Sequence, residues 1–182
     1  MKSVPRFMHT HTLVEAALMI AAAQLLSYIK LFEAPFGGSV TAASMLPIVL
    51  FAIRRGPVWG FGAGFAYGLL QQFLGGAFYN IPSLFLDYLV AFCVLGVAGF
   101  FGKRKYGLIW GGIAAGFARF LVHFASGILV WADYAPDGMA VWQYSLGYNG
   151  WYMLIDTVIV VVVSFAIIKA KGDLARRITY TA

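Results

Sequence analysis

Six apolar segments follow one another along this 182-residue chain and occupy most of its length. They lie at about 10–31, 45–53, 58–74, 82–101, 107–131 and 140–170. Only 11% of the residues are charged, whereas a water-soluble domain needs about 25% for its surface. Because about 20 residues of helix span a bilayer, the pattern predicts an all-α integral membrane protein with six transmembrane helices, in a single domain covering 1–182.

The ends of some segments allow more detailed predictions. The second segment is shorter than a bilayer span, so we expect its helix to begin earlier and to include part of 39–44. Pro82 suits the start of the fourth helix, because proline is favoured in a first helical turn. The first segment carries Glu15 and no small-residue cleavage site follows it, so we do not expect a cleavable signal peptide.

Lysine and arginine are concentrated in alternate connections. Of the 13 basic residues, all but Lys30 and Arg119 lie in the N-terminal segment, at 54–57, at 102–106 or in the C-terminal tail. The remaining connections carry Glu33, Asp133 and Asp137 instead. Basic residues accumulate on the cytosolic side of a membrane, so we expect both termini in the cytosol.

Charged groups at membrane depth are costly and are therefore functional candidates by default. When the fifth and sixth helices are paired antiparallel about their short outer connection, Arg119 falls close to the depth of Asp156. An unpaired charge at that depth would be strongly destabilising. We therefore expect Arg119 and Asp156 to form a buried structural ion pair.

A second set of polar and aromatic residues falls at a common depth nearer the outer face. It combines a carboxylate, an imidazole, an amide and aromatic rings: Asp87, Tyr88, His123, Trp131, Tyr144 and Asn149. Aromatic faces attract a cation, the carboxylate supplies the counter-charge, and Gly127 permits close approach of a ligand. This layer predicts a cage for a flat cationic heterocycle. Taken singly, each residue also fits a role in helix packing or at the membrane interface.

Small residues form two further patterns. Ala17 and Ala21 of the first helix are spaced for close helix approach in a membrane, and taken alone this motif favours packing within the protein. Four glycines of the third segment are also expected to serve internal packing: Gly60, Gly62, Gly64 and Gly68.

Other chemistries find little support in the sequence. His123 and Ser126 are three residues apart and Ser145 is near Tyr144, but no glycine-flanked serine or oxyanion donor accompanies them. A metal site is poorly supported by three histidines and the single Cys93. The basic residues form no stripe for nucleic acid, and no phosphate-binding glycine loop is present. We expect no catalytic residue, metal or cofactor, and any ATP hydrolysis must take place in another chain.

The sequence resembles the thiamine-specific substrate-binding S components of energy-coupling-factor vitamin transporters over nearly its whole length. No single motif is specific, but their order and spacing are. The motifs are Gly37-Gly38-Ser39-Val40, Met45-Leu46-Pro47-Ile48 leading to Arg54-Arg55-Gly56, Leu86-Asp87-Tyr88-Leu89-Val90-Ala91-Phe92, the stretch from Arg119 to Gly127, Tyr134-Ala135-Pro136-Asp137-Gly138 and Tyr144-Ser145-Leu146-Gly147-Tyr148-Asn149.

The resemblance implies an S-component bundle in the bacterial plasma membrane that captures extracellular thiamine with high affinity. Its implied partners, besides membrane lipid, are a transmembrane coupling protein and two ATPase subunits, and Ala17 and Ala21 match the family's docking surface for the coupling protein. The residues that match the family's vitamin site are Asp87, Tyr88, His123, Gly127, Trp131, Tyr144 and Asn149.

Two positions depart from the family pattern, and three other functions stay open. Some members have glutamate in place of Asp87, and some place a tryptophan over the ligand from the first outer loop, where this chain offers only Phe36 as a lid. The first alternative is an S component for a thiamine precursor or another vitamin. The others are a membrane-embedded serine hydrolase that uses His123 with Ser126, and a purely structural membrane subunit.

Overall fold

The computed structural model of the protein describes residues 6–35, 38–74 and 79–170, and the side chains from residue 10 onward. Six helices lie in this part of the chain: α1 (Arg6–Ser27), α2 (Leu46–Arg55), α3 (Pro57–Phe73), α4 (Ile81–Phe101), α5 (Gly107–Leu129) and α6 (Val141–Ala170). The predicted all-α architecture with six helices is confirmed. The lid candidate Phe36 lies outside the described residues, as do the basic residues Lys2, Lys171, Arg176 and Arg177.

Four of the helices are long and apolar enough to cross a membrane by themselves, namely α1, α4, α5 and α6. The shorter α2 is largely buried, and Ile48, Val49 and Phe51 belong to the hydrophobic core. Many large apolar side chains on the other helices are exposed instead, such as Leu18 on α1 and Val162 on α6. A helix bundle in contact with lipid tails needs apolar residues on its outer surface.

The second helix does not begin as early as the sequence suggested. Strand β1 (Lys30–Glu33) pairs antiparallel with strand β2 (Ser39–Thr41), and a turn then leads into α2 at Leu46. The expectation that this helix includes part of 39–44 is therefore wrong. The cause is tertiary, because the backbone N–H of Thr41 donates a hydrogen bond to Asp156, 115 residues later in the chain.

A sharp turn joins α2 to α3, at Gly56, whose φ of +89° is unfavourable for other residues. Near this turn, Arg55 Nε donates to Glu15 Oε2 over 2.7 Å, and Arg54 Nε lies 3.0 Å from Glu15 Oε1. One glutamate of α1 thus pairs with two arginines at the end of α2.

Helix α4 begins with a capping box, in which Asn80 Oδ1 accepts from Ser83 N–H and Ser83 Oγ accepts from Asn80 N–H. Pro82 lies in the first turn, as predicted. The helix is irregular beyond this point, because Leu84–Val90 is π-helical and Val94–Phe101 is a 3-10 helix.

Glycines of α3 allow it to approach α4 closely. Gly64 and Gly68 face backbone atoms of α4, and Gly60 faces both Ala52 of α2 and Gly96 of α4, so the predicted role of these three glycines in internal packing is confirmed. Gly62 points into open space, and the same expectation is wrong for this residue. The helical repeat explains the difference, because Gly60, Gly64 and Gly68 are spaced by four residues and share a face, whereas Gly62 lies on the opposite side.

Small residues also bring α5 and α6 together. Gly112, Gly116 and Gly127 of α5 face Val160, Thr157 and Ser145 of α6, respectively. These antiparallel pairs follow closely the register used above to estimate depth. The side chains of Arg119, His123, Asp156 and Asn149 therefore extend from two tightly packed helices toward the interior of the protein.

Candidate functional site

A cavity of about 270 Å³ lies beneath the β1–β2 hairpin, between α3, α4, α5 and α6. Its walls include all of the described residues that were predicted to bind a ligand: Asp87, Tyr88, His123, Gly127, Trp131, Tyr144 and Asn149. These residues come from three helices and the connection that follows α5. The structure thus brings together residues separated by up to 62 positions in the chain.

The Asp87 carboxylate is held in position from two sides. Trp131 Nε1 donates to Asp87 Oδ2 over 2.9 Å, and His123 Nδ1 lies 3.4 Å from Asp87 Oδ1. The π-helical turn of α4 around Asp87 widens the helix at this point, a distortion that is frequent at functional sites. Asp87 is therefore an oriented anion in the cavity wall.

The imidazole of His123 has one nitrogen available to a ligand. Its Nδ1 faces Asp87, whereas Nε2 is buried and accepts or donates no hydrogen bond within the described part of the protein. A buried polar atom without a partner carries a desolvation penalty of about 1–3 kcal/mol. A polar group of a bound molecule in the cavity would relieve this penalty.

Asn149 is oriented by its neighbours on α6. Its Nδ2 donates to the carbonyl oxygen of Ser145 over 3.1 Å, and its Oδ1 accepts from the hydroxyl of Tyr152 over 2.9 Å. A Cβ on Gly127 would lie 2.9 Å from Asn149 Nδ2, so only glycine leaves room for this amide. Gly127 thus permits the close approach of Asn149, and its predicted role toward a ligand stays a prediction.

Aromatic rings cover much of the cavity wall. Tyr144 and Tyr148 stack with centroids 5.9 Å apart, and Tyr148 contacts Tyr152 edge-on at 5.8 Å. On the opposite side Trp131 stacks on Tyr79, with a centroid distance of 4.6 Å. These electron-rich faces, together with the carboxylate of Asp87, favour an organic cation.

Several lining residues were not proposed from the sequence as ligand contacts, namely Tyr67, Gln71, Tyr134, Tyr148 and Tyr152. A signal existed for two of them, because Tyr148 and Tyr152 continue the four-residue spacing that begins at Tyr144. Tyr67 and Gln71 share a face of α3 and are joined by a 2.8 Å hydrogen bond. Nothing in an apolar, glycine-rich segment indicated that this face would meet the cavity.

Arg119 and Asp156 also line the cavity, at its inner end. Arg119 Nη1 lies 3.5 Å from Asp156 Oδ2, and the guanidinium carbon lies 4.3 Å from the centre of the Phe92 ring. Asp156 is 1% exposed. The two polar layers distinguished in the sequence are therefore two ends of one cavity.

The hairpin contacts α6 through strand β1 and through the connection between its two strands. Phe32 packs edge-on against Trp151, with ring centroids 4.8 Å apart. The hydroxyl of Tyr148 accepts from the backbone N–H of Gly38 over 3.2 Å and donates to the carbonyl oxygen of Pro35. These contacts hold the hairpin over the cavity mouth.

The geometry does not support Ser126 as a nucleophile activated by His123. Ser126 is fully buried and does not line the cavity, and its hydroxyl makes no hydrogen bond to His123. A serine nucleophile needs a base within hydrogen-bond reach. Across the described ranges, no three histidine, cysteine or acidic side chains converge as a metal site would require.

Comparison with known proteins identifies the family. The model of the family described as thiamine transporter protein (Thia_YuaJ) matches residues 13–176. This chain belongs to that family. The resemblance inferred from the sequence motifs is thereby confirmed, as is the assignment as a membrane protein.

Individual relatives agree with the family assignment. The chain is 36% identical over 167 residues to the thiamine transporter ThiT of Bacillus subtilis (strain 168), an alignment that covers 83% of this chain and 86% of that protein. It is 35% identical over 172 residues to the thiamine transporter ThiT of Lacticaseibacillus paracasei, with 83% of each chain covered. The solved structure of ThiT from Listeria monocytogenes superimposes with a TM-score of 0.76 at 26% identity, covering 94% of this chain and 98% of that one.

Proposed function

We propose that this protein captures extracellular thiamine with high affinity, as the substrate-specificity subunit of an ATP-driven energy-coupling-factor importer in the bacterial plasma membrane. The observation that carries the proposal is the oriented Asp87 carboxylate in an aromatic cavity. Thiamine carries a permanent thiazolium charge, which a carboxylate and aromatic faces stabilise together. Its aminopyrimidine offers donors and acceptors that suit Asn149 and the free nitrogen of His123.

The outward orientation of the site is supported by the distribution of charge. The hairpin and the connection after α5 lie at the cavity end of the molecule, whereas Arg54 and Arg55 lie at the opposite end of α2. Basic residues favour the cytosolic side, so the cavity mouth would face the exterior. Release to the cytosol would then require partner chains, including the two ATPases.

Docking of the coupling protein is assigned to α1. Ala17 and Ala21 are exposed, and they lie among the exposed side chains of Leu13, Leu18 and Leu25. Small residues on an exposed helix face allow another transmembrane helix to approach closely. Ala17→Trp should therefore abolish co-purification with a coupling module, whereas Val162→Trp, on an equally lipid-exposed face of α6, should leave it intact.

Calorimetry with purified protein tests thiamine capture directly. We expect sub-micromolar binding, and a loss of affinity of about 10- to 100-fold for Asp87→Asn, because a hydrogen-bonded charge contributes about 1.5–3 kcal/mol. Asp133→Asn makes the same charge change at an exposed position outside the cavity and serves as the control. Weak binding by the wild type, or equal affinities of the two variants, would refute the proposal.

Competition separates thiamine from related ligands. The thiazole and pyrimidine halves are titrated against bound thiamine, and each should compete more weakly than the whole vitamin. If one half or another vitamin binds more tightly than thiamine, the chain is an S component for that compound instead.

A further inference from the structure

The buried carboxylate of Asp156 connects three parts of the molecule. Its Oδ1 accepts two hydrogen bonds from Thr41, one from the backbone N–H over 3.1 Å and one from the hydroxyl over 3.2 Å. Its Oδ2 faces Arg119 at 3.5 Å. One oxygen of this carboxylate thus forms the ion pair expected from the sequence, and the other oxygen binds the β1–β2 hairpin.

Thr41 lies at the root of the hairpin. It is the last residue of β2 and pairs with Lys30, the first residue of β1. The next residue also links the two sides of the hairpin, because Ala42 N–H donates to Ile29 O over 3.0 Å. A restraint on Thr41 therefore acts on the place from which both strands extend over the cavity.

The hydrogen-bond network around Thr41 has a defined direction. Because the Thr41 hydroxyl donates to Asp156, its oxygen accepts from the Ser44 hydroxyl at 2.7 Å and from the Ser44 N–H at 3.3 Å. Thr41, Ser44 and Asp156 are all at least 94% buried. Hydrogen bonds to a charged acceptor in such surroundings are about twice as strong as neutral ones.

We propose that Asp156 is a positioning residue, which anchors the root of the β1–β2 hairpin through Thr41 and thereby sets how slowly the ligand leaves. Arg119 compensates the charge that this anchor requires at membrane depth. The proposal rests on the proposed capture of thiamine for its kinetic part. The anchoring itself is a property of the ligand-free protein.

Hydrogen exchange of ligand-free protein tests the anchor independently of thiamine. In Asp156→Asn, amides of the hairpin, followed in peptides covering 28–45, should exchange at least tenfold faster, while those of α3 keep the wild-type rate. Thr41→Val removes the hydroxyl but keeps the Arg119–Asp156 pair and the hydrogen bond from the backbone N–H of residue 41 to Asp156. A smaller acceleration of hairpin exchange is therefore expected. Ser164→Ala, which removes a buried hydroxyl bonded only to Val160 O on α6, should change nothing.

Stopped-flow tryptophan fluorescence, to which Trp131 in the cavity wall contributes, measures thiamine release from the same variants. Dissociation should be about tenfold or more faster in Asp156→Asn and a few-fold faster in Thr41→Val, with association rates close to wild type. In the double variant the effects should be less than additive, because both act through one contact.

The possible failures are distinguishable. A wild type that binds no thiamine refutes the proposed function but leaves the exchange result valid. Unchanged hairpin exchange in both variants, or an acceleration spread evenly over all helices, overturns the anchor and leaves a purely structural ion pair.

Discussion

Adding one methyl group to α3 should lower the stability of the protein at Gly68 and raise it at Gly62. In Gly68→Ala the new Cβ would lie 3.0 Å from the carbonyl carbon of Tyr88 and 3.3 Å from the Cα of Leu89, and closer still to the Tyr88 carbonyl oxygen. These are backbone atoms and cannot rotate away. In Gly62→Ala the Cβ would meet nothing within 4 Å.

The magnitudes follow from two opposing contributions. Overpacking costs about 1–3 kcal/mol, while alanine in place of glycine gains about 1 kcal/mol in a helix. We therefore expect Gly68→Ala to lower the free energy of unfolding by up to about 2 kcal/mol and Gly62→Ala to raise it by about 0.5–1 kcal/mol. Because Tyr88 adjoins Asp87 in the π-helical turn, Gly68→Ala should also weaken thiamine binding about tenfold.

Unfolding by SDS in mixed micelles measures the stability of both variants, and calorimetry measures their affinity at a temperature where both are folded. Gly60→Ala is the packing control, since its Cβ would lie against Ala52 of α2 and Gly96 of α4, and neither of these residues lines the cavity. It should reduce stability and preserve affinity. If Gly68→Ala is as stable as Gly62→Ala, or binds thiamine like Gly60→Ala, the argument from close backbone approach fails.

Three other changes follow from individual contacts. Tyr148→Phe removes the hydroxyl that joins the hairpin to α6 and should speed thiamine release a few-fold in stopped-flow measurements, with unchanged rates as the contrary result. Glu15→Gln weakens the pairing with Arg54 and Arg55 and should lower the free energy of unfolding in SDS by about 2 kcal/mol, whereas Asp133→Asn should have no effect. Ser126→Ala removes the hydroxyl that the hydrolase alternative needs as a nucleophile, so calorimetric affinity should stay at the wild-type value, and a loss of covalent labelling by a serine-directed probe would revive that alternative.

The membrane class and the six helices could be predicted because lipid imposes a simple rule on sequence. Each long span needs an unbroken apolar stretch of sufficient length, and such stretches are visible without knowledge of tertiary contacts. The same rule made Asp87, Arg119, His123 and Asp156 conspicuous, because charged or ionisable groups at membrane depth are rare and costly. Helical periodicity then sufficed to place α5 and α6 residues at comparable depths.

The β1–β2 hairpin could not be predicted in the same way. Residues 39–41 lie beside an apolar segment and were assigned in part to a helix, yet they form a strand because Thr41 bonds to Asp156. A hydrogen bond between residues so distant in sequence leaves no periodic trace. The contributions of Tyr67 and Gln71 to the cavity were missed for a related reason, since apolar periodicity does not show which neighbour a helix face meets.

Membrane insertion, the number of helices and the costly side chains on those helices can all be read from the amino-acid sequence. That Arg119 and Asp156 share one cavity with Asp87, His123 and Asn149, and that Asp156 also holds the hairpin, is visible only in the folded molecule. The difference arises because hydropathy is a local property summed along one segment. The shape of a cavity depends on how closely separate segments approach, and glycines such as Gly68 and Gly127 set that distance.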